Sequence, residues 1–245
     1  MKSSMESHCL PFSEIPHTTE LFSTFVEDFA RVARYFEQPP TMAGVVAAAR
    51  KIDLPARVRS GVADVLREQN RFFGAGDDTF RNLDRLASGA AAIVTGQQVG
   101  LFTGPAYSLY KAISAARYAE EASKNGVEAV PVFWLATEDH DLAEINRVAW
   151  NTDDGLAEFG LPETAAESGR RVGEIKLGPG ITALVGKAAE GLRGEFAEQI
   201  GRALRESYAP EETYGSAFGK LMARLVAGRG IIFFDPLDEL SLIHI

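Results

Sequence analysis

Two polar clusters carry residue types that can do chemistry. The first lies in residues 94–111, VTGQQVGLFTGPAYSLYK. Thr95, Gln97, Gln98, Thr103 and Ser108 offer neutral hydrogen-bonding groups, and Lys111 offers a cation on the helix that follows. Gly96, Gly100 and Gly104 let the backbone come close to a ligand. An apolar run enters this segment and a helical pattern begins near Pro105, so backbone N–H groups can face a bound anion. A carboxylate, a phosphate or sugar hydroxyls would suit it. The plainer reading is a tight, polar strand-to-helix turn. Burying two amides unused costs roughly a few kcal/mol, which favours a use for Gln97 and Gln98. The segment is neither a Walker loop, which needs Gly-Lys-Ser/Thr, nor a regular G-x-G-x-x-G.

The second cluster is Glu138-Asp139-His140-Asp141, reached through Thr137 from the apolar run VPVFWLA. Charges this dense must be solvated, paired or used. His140 could serve as a general acid or base, or steady a developing oxyanion. Asp139, Asp141 or Glu138 could accept a proton from an attacking amine, or hold Mg²⁺ near a nucleotide. The plainer alternative is Asp139 or Asp141 capping a helix through Glu144. A zinc site is disfavoured, because no cysteine is near and the cluster holds one histidine. Tyr107 lies in the first turn of its helix and can face the loop. Tyr110 and Trp134 read most simply as core residues.

The elements that must hold these clusters read as follows. Residues 17–37 have helical spacing at Leu21, Phe22, Phe25, Val26, Phe29, Val32 and Phe36, with Thr18 or Thr19 as N-cap. Further helices are predicted over 41–51, 55–73 and from Asp77 to Leu86. Residues 90–95 form a buried strand, 105–124 a helix stopped at Asn125-Gly126, and 129–136 a second strand. This unit favours a parallel pair with both polar clusters at its working edge. Residues 147–182 read as short antiparallel strands and loops, 182–207 and 212–228 as helices, and 230–235 as a third parallel strand. The predicted organisation is an N-terminal helical segment over 1–88, a core from 89–146 and 229–238, an inserted α+β segment over 147–228, and an aberrant tail over 239–245.

Composition narrows the classes. The 245 residues hold 25 basic and 34 acidic side chains, a net charge of −9, which argues against a general nucleic-acid binder. An apolar fraction of 46% supports a real core. Cys9 is the single cysteine, so no intrachain disulfide forms, which suits a reducing cytoplasm. No signal-peptide core opens the chain. The uncharged stretch from Leu86 to Tyr110 contains glycines, Pro105 and the Gln97-Gln98 pair, unlike a membrane span. A doubly wound sheet rarely stops after a third strand, so an incomplete core is expected.

Together, TGQQVGLFTGPAYSLYKAISAA and VPVFWLATEDHDLAEIN resemble the bacillithiol biosynthesis cysteine-adding enzymes, the BshC family of cysteine ligases. The similarity runs from about Pro11 to Pro236 and is densest at 94–146. SYAPEETYGSAFGKLMARL and GIIFFDP also look like that family. The resemblance implies a Rossmann-like α/β core akin to class I nucleotidyltransferases and the cysteinyl-tRNA synthetase group. It implies amide formation between L-cysteine and glucosaminyl-malate with ATP, and Mg²⁺ where the nucleotide needs it, but no tightly bound cofactor. It further implies a cytoplasmic homodimer, made through a C-terminal coiled coil that this chain lacks, and no membrane partner. Related synthetases carry a histidine motif after the first strand. Here Thr103-Gly104-Pro105-Ala106-Tyr107 holds that place without a histidine, so the route of carboxyl activation stays open. Family members are about twice this length, and the chain alone is expected to be inactive. A nucleotidyltransferase for another acid and a non-catalytic binding protein are the rival readings.

Overall fold

The computed structural model describes residues 8–152, 155–163, 167 and 169–237. The predicted tail over 239–245 lies outside the described residues. Contacts divide the chain into two units, one of the residues up to Asp53 with Glu121–Val127, the other of Leu54–Glu120 with the residues from Glu128 on.

In the smaller unit α1 (Glu20–Glu27) starts at Thr19, whose hydroxyl accepts from the Phe22 amide. The helix expected over 17–37 ends at Asp28 (φ −144°, ψ 67°) and gives way to two short 3₁₀ turns. Aromatic packing explains the break. The rings of Phe25 and Phe36 lie 4.4 Å apart, whereas a continuous helix would separate those residues by about 16 Å. α2 (Met42–Ala49) follows, capped by Thr41.

The larger unit opens with α3 (Ala56–Phe73) and α4 (Asp77–Ala87), joined through Gly74 in the left-handed conformation that ends a helix. Then come β1 (Ala91–Gln98), α5 (Tyr107–Lys124) and β2 (Ala129–Ala136). A short α6 (Leu142–Ile145) leads to the antiparallel pair β3 (Arg147–Thr152) and β4 (Gly155–Gly160), where short antiparallel strands were expected. α7 (Gly180–Glu190), α8 (Ala197–Ser207) and α9 (Tyr214–Leu225) precede β5 (Ile232–Phe234). The main sheet is parallel, in the order β1-β2-β5.

β2 is apolar on both faces, as a covered parallel strand must be. Phe133 and Leu135 pack in the large core with Phe218 of α9, while Val130 and Val132 pack on the opposite side with Leu66 of α3 and Leu83 of α4. Trp134 departs from its expected core role. It is 37% exposed, its ring packs edge-on to Phe234, and its Nε1 donates to Glu138. Tyr110 likewise stands 68% exposed on α5. Among the described residues no helix is long and apolar enough to cross a membrane.

Among the described residues, the outer edge of β5 meets side chains instead of a strand. Asn70 accepts from the Phe233 amide (2.9 Å) and donates to its carbonyl (2.8 Å). Gln69 does the same for Asp235, at 3.0 Å each way. Thr79 donates to the Ile231 carbonyl and Asn82 to that of Gly230. A sheet edge is thus satisfied by two helices. Replacing Asn70 with leucine should leave a buried strand amide and carbonyl unpaired, with a loss of about 2–4 kcal/mol in urea unfolding.

Candidate functional site

The working edge is longer and more ordered than a loop. Thr95, Gly96, Gln97 and Gln98 belong to β1, which continues to pair through Gly96↔Trp134, Gln97↔Leu135 and Gln98↔Ala136. The expected glycine-bearing loop therefore begins only after Gln98. Gly96 is required by close approach, since a Cβ there would meet the Trp134 carbonyl oxygen at 2.8 Å and its Cβ at 2.9 Å.

Beyond β1 the chain turns through a strained segment. Phe102 (φ 51°), Thr103 (φ 75°) and Gly104 (φ 64°) are successive left-handed residues. Such conformations cost on the order of 1–3 kcal/mol for a non-glycine residue and need surrounding structure to hold them. Phe102 is held by Trp150 and Tyr208, with ring centroids at 5.8 and 5.0 Å. Burial pushes the Tyr208 phenol above the usual tyrosine range. Its hydroxyl lies near the Thr103 and Phe102 amides without hydrogen bonding to them. Thr103 and Ser108 are themselves buried.

Charge and amide chemistry meet at the strand ends. Lys111, one turn into α5, donates to Gln97 Oε1 at 2.7 Å, and its Nζ lies 5.1 Å from the Tyr107 ring centroid. Gln97 Nε2 donates to Gln98 Oε1 (3.4 Å) and to the Tyr107 hydroxyl (3.3 Å). Gln98 Nε2 then donates to two carboxylates, Asp139 Oδ2 and Glu144 Oε2, each at 2.8 Å. Asp139 also accepts from the His140 amide at 2.6 Å and the Asp141 amide at 3.1 Å. The Gln98 bond, followed by these amides, holds the Asp139 carboxyl below its ordinary value. Asp141 caps α6 by accepting from the Glu144 amide, as the helix-cap reading expected for one of the two aspartates. His140 and Glu138 are exposed.

Thr137 fixes where this cluster sits. It is fully buried, and its hydroxyl donates to Asp235 Oδ1 at 2.5 Å, tying the end of β2 to the end of β5. Gly173 and Gly215 close on it; a Cβ on either would stand 2.5–2.7 Å from a Thr137 carbon.

A cavity of about 260 Å³ opens beside these residues. Gln97, Gln98, Gly100, Gly104 and Tyr107 form one wall, and Glu144, Arg147 and Val148 another. None of Glu138, Asp139, His140 or Asp141 lines it; Asp139 reaches it only through Gln98. Glu144 and Arg147 escaped sequence reasoning. The Asp-x-x-Glu spacing of Asp141 and Glu144, a helix-start signature, was the signal available for Glu144. Among the described residues no group of three or more His, Cys, Asp or Glu is arranged to hold a metal ion.

The family description "Bacillithiol biosynthesis BshC, N-terminal Rossmann-like domain" matches residues 5–240. The chain belongs to the BshC family. Relatives named "Putative cysteine ligase BshC" include one from Koribacter versatilis, 36% identical over 230 residues, covering 94% of this chain and 43% of the relative. That of Solibacter usitatus is 36% identical, covering 95% and 43%, and that of Salinibacter ruber 32% identical, covering 95% and 43%. The chain therefore spans 43% of the length of these BshC relatives. Family membership agrees with the resemblance of the two motifs and with the parallel Rossmann-like sheet.

Removing the amide bridge tests the site's electrostatics. In Gln98→Leu the Asp139 carboxyl should titrate closer to the ordinary carboxylate range, read by NMR pH titration. A depressed folded-state pKa stabilises the fold above the unfolded value and loses that contribution as pH falls through the folded value, so the variant should show less acid-dependent loss from this group.

Proposed function

We propose that this chain forms part of a cytoplasmic ligase that joins the carboxyl of L-cysteine to the amine of glucosaminyl-malate, giving bacillithiol. The observation that carries this reading is the Gln98 amide, shared by Asp139 and Glu144 beside a cavity that also presents Arg147. In a BshC-family chain, that edge can receive a substrate bearing both an amine and carboxylates.

Amide formation from an ammonium and an activated acyl group releases two protons. The carbon–nitrogen bond forms as the bond from the carbonyl carbon to its activating group breaks. The amine must lose its first proton before it attacks, and in this reading a carboxylate of the Asp139–Glu144 pair receives it. The second proton leaves as the tetrahedral adduct collapses, and exposed His140 can pass it to solvent. Holding both substrates at one strand edge contributes through alignment. ATP supplies the activating group; Lys111 and the start of α5 would face its phosphates, since a cation beside a long helix's N-terminus suits polyphosphate. In this reading a core over 89–146 and 229–238 carries 147–228 as an insertion, and the family-length enzyme dimerises through a C-terminal coiled coil.

Deleting the gene should abolish bacillithiol and raise glucosaminyl-malate in thiol and metabolite profiles by mass spectrometry. An unchanged bacillithiol pool overturns the assignment. In the purified enzyme, Asp139→Asn with His140→Ala should lower turnover by about 10²-fold or more with ligand binding retained. A protein that only binds would show no turnover to lose, and pyrophosphate release would mark adenylation over direct phosphorylation.

A further inference from the structure

We infer that Glu144 and Arg147 are the specificity-determining pair of the cavity: Glu144 receives the ammonium of the substrate and Arg147 a carboxylate on the same molecule. The inference rests on the proposed function and names which side chains read that substrate.

Several observations converge on Glu144. The acidic cluster that the sequence displays most prominently does not line the cavity, whereas Glu144 does. Its backbone is set by the Asp141 cap and its carboxylate by Gln98. Both hydrogens of the Gln98 amide are taken by carboxylates, so Gln98 holds a negative pair in place and has no donor left for a ligand. Two carboxylates gathered around one neutral nitrogen repel each other, and an ammonium entering beside them relieves that repulsion. A neutral amide or hydroxyl would not.

Arg147 opens β3 on the same wall. Its Nε donates to Asn146 Oδ1 at 3.4 Å, and Asn146 is buried with its carbonyl bonded to the Leu161 amide. Glu158 of β4 lies 3.8 Å from Nη1, and both side chains are more than half exposed. An exposed pair at that separation contributes little. The guanidinium can therefore turn to a ligand carboxylate, where a bidentate geometry is open to it. No other lining residue carries a charged side chain. The cavity thus presents one sign of charge at Glu144 and the other at Arg147.

The test compares glucosaminyl-malate with its N-acetylated form by calorimetry on the protein as the source cell makes it. The two ligands share their carboxylates and differ in the amine charge. The wild type should prefer the free amine by about tenfold or more, Glu144→Gln should bring the two within about twofold, and Glu144→Asp should keep a preference. Arg147→Gln should weaken both ligands alike. Urea midpoints check that each variant folds; Glu144 and Arg147 are exposed, so both should. A preference that survives Glu144→Gln, or its absence in the wild type, overturns the assignment. If the wild type still makes bacillithiol, the proposed function stands without it. Binding of neither ligand together with no turnover overturns both.

Discussion

An amide has two hydrogens to give, and Gln98 gives both to carboxylates. The rest of the working edge follows from that. Carboxylates only accept, so Gln98 must turn its nitrogen toward Asp139 and Glu144, which leaves its oxygen facing Gln97. Lysine only donates, so Gln97 must turn its oxygen toward Lys111 and its nitrogen toward Gln98. The two charged ends dictate both amide orientations, and the result is a directional chain from a cation to a pair of anions. Hydrogen bonds in such a chain polarise one another. Register makes it possible: Gln98 pairs opposite Ala136, one residue before Thr137, so the two clusters emerge from adjacent strand ends.

That register is itself anchored from the far side of the sheet. Gln69 grips the Asp235 backbone, Asp235 accepts from Thr137, and Thr137 is pinned between Gly173 and Gly215. The Gly173 amide also donates to the Thr137 carbonyl, and the Val172 amide to the Asp139 carbonyl. A polar path therefore runs from helix α3 through the ends of β5 and β2 to the acidic cluster. Sealing one sheet edge and positioning the site are two consequences of the same side chains.

Much of this was legible from sequence because it depends on local pattern. Apolar runs marked β1, β2 and β5, and Asn125-Gly126 marked the end of α5. The acidic cluster was visible because its members are adjacent. What sequence could not show depended on distant partners. Gly96–Gln98 read as loop because glycine and glutamine are poor strand formers, yet the pairing with Trp134–Ala136 extends the strand through them. The break at Asp28 came from Phe36 returning to Phe25, a contact that no helical periodicity encodes. Gln69 and Asn70 carry no local signal in sequence, because their partners lie more than 160 residues away. Glu144 was overshadowed by four neighbouring polar residues that turn out not to face the cavity.

The β3–β4 hairpin explains how a strained turn persists. Three consecutive left-handed residues at 102–104 would not hold their shape alone, because two of them carry side chains and one of those is β-branched. Trp150 of β3 stacks on Phe159 of β4, with centroids 4.2 Å apart and planes at 24°, and Trp150 in turn meets Phe102. The hairpin thereby fixes the turn between β1 and α5. The turn matters because it brings Gly100 and Gly104 so close that a Cβ on Gly100 would stand 3.1 Å from the Gly104 Cα. A wider connection would carry the start of α5, and Lys111 with it, away from Gln97. The same hairpin supplies Arg147, Val148 and Ala149 to the cavity wall. The β3–β4 hairpin thus stabilises the backbone strain on one side of the cavity and contributes to the other, so loosening the hairpin should disturb the amide chain before it disturbs the sheet.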